Sequence, residues 1–371
     1  MPVTTRTARV RGARITDLAA VGELSRLAHP PQADAHGRGA GDARTGKGSV
    51  AERPERPTRS LGLPVTASHV SVFSLFRMPL GAFQPHDQLY VYEEDGRLAG
   101  LARVERDSDR DEWTVVELDA VDNGDAGDIR FRLVQHLLRD GSRRGASRFH
   151  VACADRGGNV ELFMQAGFAR YGEETVLFRD PDLRLPGLRS VDAEAARIRP
   201  VVAQDALELA RLYRRVTPAP VARLEGYRLS DWERLSGRSS VPRTSLTPIL
   251  RFADVEAYVQ EADRADGGLL AMLQLGVAKE QQPHYMRVLS LPEHDPGALI
   301  RFGLAIIGKR SGAAHAGTPG HLHGVMSCVR TYESPAEHRF EDQGMEAIAT
   351  LSLLVKEALV RVAEPSLVPA V

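Results

Sequence analysis

The sequence predicts an α/β protein with mixed sheets, built as two copies of one unit in tandem. Three observations carry this. A set of short identities recurs in the same order in both halves, strand-like and helical hydrophobic patterns alternate inside each half, and 371 residues suffice for two hydrophobic cores of ordinary size.

The repeat is read first, because a missed duplication misreads the whole fold. Sliding Ala8 to Pro30 onto Ala196 to Pro218 without a gap pairs ARVR with ARIR, Asp17 with Asp205, Leu24 with Leu212, Arg26 with Arg214 and Pro30 with Pro218. Three further anchors follow in order. Tyr90-Val91-x-Glu93-x-Asp95 answers Tyr258-Val259-x-Glu261-x-Asp263, and Ile129-Arg130-Phe131-x-Leu133 answers Ile300-Arg301-Phe302-x-Leu304. Phe163 to Phe168 then answers Phe340 to Met345, each about ten residues after a cysteine, Cys153 or Cys328.

Within a copy, an extended stretch runs to an Asp that reads as the N-cap of an amphipathic helix, from Asp17 to Ala28 and from Asp205 to Val216. Two strands, LYVYEED and LAGLARVE, meet at Asp95-Gly96, a dipeptide that favours a tight hairpin turn. The strand TVVELDAV comes next. Ile129, Leu133, Val134, Leu137 and Leu138 then share one face at helical spacing. The strand RFHVACA leads to a short helix for which Gly167 is the C-cap, and Glu173 to Arg179 forms the closing strand.

These patterns predict an N-terminal domain over 1–180, a linker over 181–195 and a C-terminal domain over 196–371. Residues 31–64 are rich in Gly, Ala, Arg, Asp and Pro with almost no large apolar side chain, so they read as a disordered insertion. Pro181 and Pro186 discourage regular structure in the linker.

Composition excludes several classes. With 43% hydrophobic and 26% charged residues the chain reads as a folded globular protein, and a net charge of −1 argues against nucleic acid as a partner. The 44 arginines against four lysines are matched by acidic residues throughout, leaving no basic face. Two cysteines far apart make neither a disulfide framework nor a zinc site, and no apolar run reaches membrane-spanning length or resembles a secretory signal. A cytoplasmic protein without a membrane partner is the expectation.

The order of elements, with Leu162-Phe163-Met164-Gln165-Ala166-Gly167-Phe168 closing the first copy, resembles the GNAT (GCN5-related N-acetyltransferase) superfamily over nearly the whole chain, twice. The resemblance implies two tandem acyl-CoA N-acyltransferase domains, with acetyl-CoA or another acyl-CoA as cosubstrate and a small-molecule amine as acceptor. It implies that the third core strand offers Leu118, Ala120 and Val121 to the pantetheine arm. The loop and helix start at Gly124, Gly127, Asp128 and Ile129 would then cradle the pyrophosphate, with Asn159 and Phe163 on the later short helix completing the cosubstrate positions.

A phosphate cradle needs backbone N–H groups at a helix start and small residues that let phosphate approach. Asn123-Gly124-Asp125-Ala126-Gly127-Asp128 supplies two glycines at an imperfect spacing, with carboxylates at Asp125 and Asp128 that repel phosphate. The second copy reads Glu293-His294-Asp295-Pro296-Gly297, where Pro296 removes a donor. Either loop alternatively serves as a plain turn into its helix.

Amine acylation needs a base. Glu117 and Asp119 alternate onto one face of their strand and are the catalytic candidates, unless both are merely solvated. The family's tyrosine acid falls on Phe163 and Phe340, which have no proton to give. His150 and Cys153 differ in parity, which speaks against a Cys–His pair. His321-Leu322-His323 has metal-compatible spacing but no third ligand, and no metal is expected. His284, Tyr285 and Tyr332 are further polar candidates. Acceptor-docking loops are expected at Pro64 to Asp87 and Thr217 to Arg251. Two functional readings stand: an acyl-CoA-dependent N-acyltransferase, and a catalytically inactive tandem binding or assembly module.

Overall fold

A computed structural model describes residues 8–28, 58–63, 87–107, 109–121, 125–180, 196–236, 242–250, 252–263, 268–278, 282–314 and 324–358. The predicted linker at 181–195, Gly124, His321 and His323 lie outside the described residues. The chain divides into two compact units, residues 1–61, 71–149 and 357–371, and residues 62–70 and 150–356.

The first unit holds β1 (Ala8–Gly12), a 3-10 turn (Ile15–Asp17), α1 (Leu18–Ala28), β2 (Thr58–Arg59), β3 (Asp87–Glu94), β4 (Arg97–Asp107), β5 (Glu112–Val121) and α2 (Ala126–Arg143). Strands run β1-β3-β4-β5, each pair antiparallel, with β2 added on β5. The β3–β4 hairpin turns at Asp95 and Gly96, both at positive φ, as the dipeptide predicts. Residues 58–63, within the predicted insertion, are structured, since Thr58 pairs with Val121 and Arg59 with Ala120, while residues 31–57 of it lie outside the described residues. The reason is backbone pairing, which two residues of any polarity supply and composition does not report.

Each face of this sheet has a helix. Val21 and Leu24 of α1 join Val91 and Leu101 in one cluster. The predicted stripe of α2, Ile129 to Leu138, is buried. Gly100 on β4 admits α2, because a Cβ there would come within 2.6 Å of Ile129 Cγ2 and 3.2 Å of the Asp119 carbonyl oxygen.

The second unit contains residues 150–154 of β6 (Arg148–Ala154), then α3 (Asn159–Gln165), β7 (Ala169–Arg179), β8 (Ile198–Pro200), a 3-10 turn (Ala203–Asp205), α4 (Ala206–Val216), α5 (Ala219–Glu225) and α6 (Leu229–Glu233). It continues with β9 (Phe252–Glu261), β10 (Leu269–Ala278), β11 (His284–Ser290), α7 (Gly297–Ala314), β12 (Val325–Arg330), α8 (Ser334–Glu341) and β13 (Met345–Glu357). Its strand order is β6-β13-β7-β12-β11-β10-β9-β8.

That order is a reciprocal exchange of closing strands. β7 closes the first copy in sequence yet pairs antiparallel with β12 of the second, from Arg179↔Val325 to Glu174↔Arg330. β13 closes the second copy and lies between β6 and β7. Both strands read alike in sequence, and either satisfies the same neighbouring ladder, so the exchange leaves local hydrogen bonding whole. It also carries Glu174 of β7 into a buried polar cluster, where its carboxylate meets Arg330 Nε at 2.8 Å and the Ser245 backbone N–H at 2.9 Å.

The repeat identities meet in space. Arg11 Nε donates to Glu93 at 2.7 Å while its two terminal nitrogens hold Asp17 at 2.6 and 3.0 Å. Arg199 Nε donates to Glu261 at 2.7 Å while its terminal nitrogens hold Asp205 at 2.7 and 2.8 Å. The same triad thus ties the first strand, the turn before the helix and the hairpin strand in each copy. Asp17 and Asp205 differ from the predicted N-cap role. Each ends the 3-10 turn and points its carboxylate back, to the N–H of Arg14 at 2.7 Å or Val202 at 2.8 Å. The preceding turn is the physical reason, since its own first N–H and the arginine claim the carboxylate before the helix can.

Candidate functional site

In the first copy the candidate site starts from a bulge in β5. Arg103 pairs with Glu117 but Val104 pairs with Val115, so Val116 is the extra residue. A bulge twists its strand and re-aims the residues after it. Glu117 and Asp119 follow on the face of their cross-strand partners Arg103 and Leu101. Both carboxylates are buried, which removes the solvated-strand alternative. Glu117 Oε2 lies 3.3 Å from Arg103 Nε, an ion pair with both members shielded from water. Leu118 and Ala120 are fully buried across from Ala102 and Gly100, on the side that α2 covers. At Ala120 and Val121 the backbone is paired with β2.

At the start of α2 the N-cap residue, Asp125, makes no side-chain cap hydrogen bond, and among the described residues nothing outside the helix and the chain neighbours of Gly127 lies within 4 Å of where its Cβ would sit. Asp128 turns its exposed carboxylate to Arg132, 2.8 Å away, so the charge expected to repel phosphate is paired along the helix. Ile129 is buried and its N–H closes the first helical turn on Asp125 O at 3.0 Å.

Asn159 and Phe163 belong to the second unit. Asn159 is buried and its side-chain amide donates to Ala154 O at 3.1 Å, fixing the start of α3. Phe163 is fully buried, edge-on to Phe168 with centroids 5.2 Å apart. Gly167 at positive φ ends α3 as predicted, with Phe168 N–H returning to Phe163 O at 3.0 Å. Phe340 is likewise fully buried.

The second copy has the same parts and fills them itself. β11 and β12 are parallel and pair at His284↔Val325, Tyr285↔Met326 and Met286↔Ser327, after which the ladder stops. Arg287, the next residue, sits at the parting. Its Nη1 donates to Val288 O on one strand and Cys328 O on the other, both at 3.0 Å. Glu333 accepts two further bonds of 2.6 Å from the two terminal nitrogens of the guanidinium. Burial opposes the charge on Arg287, but the Glu333 carboxylate more than offsets it and pushes the guanidinium pKa above its ordinary value.

At the start of α7, Asp295 Oδ1 accepts the Gly297 N–H at 2.9 Å and Arg339 Nε at 2.8 Å. The backbone bond from Gly297, then Arg339, holds this carboxyl below its usual pKa. A built-in carboxylate thus takes the place at this helix start that a phosphate would want, beside Pro296, which has no N–H.

The segment expected to dock an acceptor in the second copy sends several side chains into the core. Trp232, Leu235, Leu246 and Leu250 are buried, Tyr285 Oη meets Thr244 Oγ1 at 2.9 Å, and Tyr213 Oη donates to Glu225 at 2.5 Å. Residues 64–86, the corresponding expectation in the first copy, lie outside the described residues. His284 Nδ1 accepts the Ala278 N–H at 3.0 Å inside the core. Cys153 and Cys328 are buried free thiols, and burial pushes Cys328 well above the ordinary thiol pKa, so it is no nucleophile. Among the described residues no group of three His, Cys, Asp or Glu side chains is arranged to hold a metal, and no helix is long and apolar enough to cross a membrane.

Sequence reasoning missed β2, Arg287, Glu333 and the capping role of Asp295. One signal was available: a lone arginine inside HYMRVLS, a strand buried at every position, requires a partner somewhere.

The sequence matches no protein-family model and no curated protein sequence. Solved structures do match. A tandem GNAT protein from the clavulanic acid biosynthesis pathway is 15% identical with a TM-score of 0.51, over 95% of this chain and 98% of that one. A GCN5-related N-acetyltransferase from Sphaerobacter thermophilus is 14% identical with a TM-score of 0.53, over 94% of this chain and 95% of that one. With the duplicated Arg–Asp–Glu triad and the paired strand, helix and glycine-capped elements above, these likenesses show that the chain has the tandem GNAT fold.

Proposed function

We propose that this protein is an acyl-CoA-dependent N-acyltransferase in which the first copy holds the acyl-CoA and the second copy is a scaffold. The observation that carries the proposal is the uncapped start of α2, with open space at Gly127, set on the same strand–loop–helix unit as the buried carboxylates of Glu117 and Asp119. The backbone N–H groups of Gly127 and Asp128 at such a helix start suit a pyrophosphate, while that of Ile129 is already used within the helix. The pantetheine arm would run along Leu118 to Val121, and Asn159 and Phe163 are the remaining cosubstrate positions the resemblance implies.

In the reaction the acceptor amine attacks the thioester carbonyl, forming the C–N bond and breaking the C–S bond. Glu117 or Asp119 takes the amine proton, and with Phe163 in place of an acid the leaving thiolate takes its proton from solvent. Arg103 acts as a positioning residue by holding Glu117. The acceptor is a small-molecule amine. The test is release of free thiol from acetyl-CoA and longer acyl-CoAs across a panel of amines. Acceptor-dependent release that falls at least about 100-fold in Glu117→Gln or Asp119→Asn supports the assignment.

A second reading, a tandem module that binds or assembles without catalysis, draws on Phe163, Phe340 and the filled second copy. It predicts no thiol release with any acceptor.

A further inference from the structure

We propose that β2 is an internal competitor of the cosubstrate, a strap on the first copy that must leave β5 before acyl-CoA can lie there. The proposal rests on the acyltransferase reading above. A strand residue directs its backbone groups to one edge or the other, and each group bonds one partner at a time. On β5 the edge facing β4 is used from Glu112 to Ala120. At Ala120 and Val121 the chain also pairs with Arg59 and Thr58. An extended pantetheine arm binds as an added strand does, through those same groups.

Two features suit the strap to compete rather than to belong to the core. It is two residues long, so its ladder with β5 is confined to Thr58 and Arg59. Beyond it the chain is tethered by apolar packing, Leu61 being 2% exposed and Leu63 lying on a buried apolar cluster, so only β2 itself has to lift. Among the described residues no comparable strand occupies the second copy, where the Arg287–Glu333 pair stands at the parting of β11 and β12. A side-chain plug buried at both members cannot be traded for a ligand at low cost, whereas a two-residue strand can. The first copy is therefore closed reversibly and the second permanently.

The experiment is calorimetric titration of acetyl-CoA into three full-length proteins. One is the unaltered chain, one replaces residues 58–61 with Gly-Ser-Gly-Ser, and one is the Arg59→Cys/Ala120→Cys variant, whose positions are directly paired and within disulfide reach. The strap replacement is expected to bind about tenfold more tightly, as when the open form is about a tenth of the molecules. The oxidised double variant is expected to lose binding and regain it on reduction. Unchanged affinity in the strap replacement, or undiminished binding by the oxidised variant, overturns the strap and leaves the acyltransferase reading standing. Absence of binding by all three proteins overturns both. Should the strap replacement fail to fold, the oxidised and reduced forms of the double variant decide alone.

Discussion

The two copies agree in scaffold down to a shared ion triad and differ where an anionic, extended ligand would lie. In the first, the helix start is uncapped and Gly127 faces open space. In the second, Asp295 caps the helix and Arg287 with Glu333 bridges the diverging strands. On the proposed reading, the difference teaches that duplication preserved the interactions that hold strand to helix, while the positions that would face a ligand were free to become core. A site relieved of its ligand must satisfy its exposed backbone groups from within, and a carboxylate and a guanidinium do so here.

The largest expected effect breaks the plug. Glu333→Ala leaves the Arg287 charge buried without its partner and should cost about 3–5 kcal/mol, measured by urea unfolding. Replacing both residues with leucine should cost far less, because neither charge then needs a partner. If the single and double variants are equally damaging, the pair is not the element that closes the second copy.

Next comes the packing that orients the first site. Gly100→Ala pushes a methyl group against Ile129 and the backbone of β5, and should cost about 1–3 kcal/mol by the same measurement. It should also weaken acetyl-CoA binding by shifting α2.

How much of this was legible in the sequence depends on the range of the interaction. The hairpin at Asp95-Gly96, the buried stripe of α2 and the Gly167 cap are local, and their residues announce them. The triads were legible as identities, since Arg11, Asp17 and Glu93 recur as Arg199, Asp205 and Glu261, although the direction of the aspartates was not. Strand exchange was hidden because β7 and β13 carry equivalent patterns, and nothing in a strand's periodicity names its neighbour. Of the candidate site, the shared strand face of Glu117 and Asp119 was legible through alternation, and their burial was not. The plug joins residues 46 positions apart that only the fold brings together.

A smaller effect separates the helix starts. Asp295→Ala removes a cap and should cost about 1 kcal/mol, read from thermal denaturation, whereas Asp128→Ala loses only an exposed pair and should be nearly neutral.

The smallest effect tests the shared scaffold. Hydrogen bonds from Arg11 and Arg199 hold the Asp17 and Asp205 carboxyls below their ordinary pKa. A carboxylate with a folded-state pKa lower than its unfolded value contributes stability above the unfolded value of about 3.9 and loses it as pH falls through the folded one. Unfolding followed from pH 6 downward should show this loss, reduced in part by Asp17→Asn and in part by Asp205→Asn. Equal acid sensitivity in the double variant would remove the triads from the account.

The most direct test of the central claim, one copy that can take the cosubstrate and one that fills itself, is the stoichiometry of acetyl-CoA binding by isothermal titration. The account predicts one molecule per chain, with affinity reduced about tenfold by Gly127→Pro, which removes an N–H from the first turn of α2 without obstructing the helix. Two molecules per chain, or one whose affinity ignores Gly127→Pro and falls with Asp295→Ala, would contradict it.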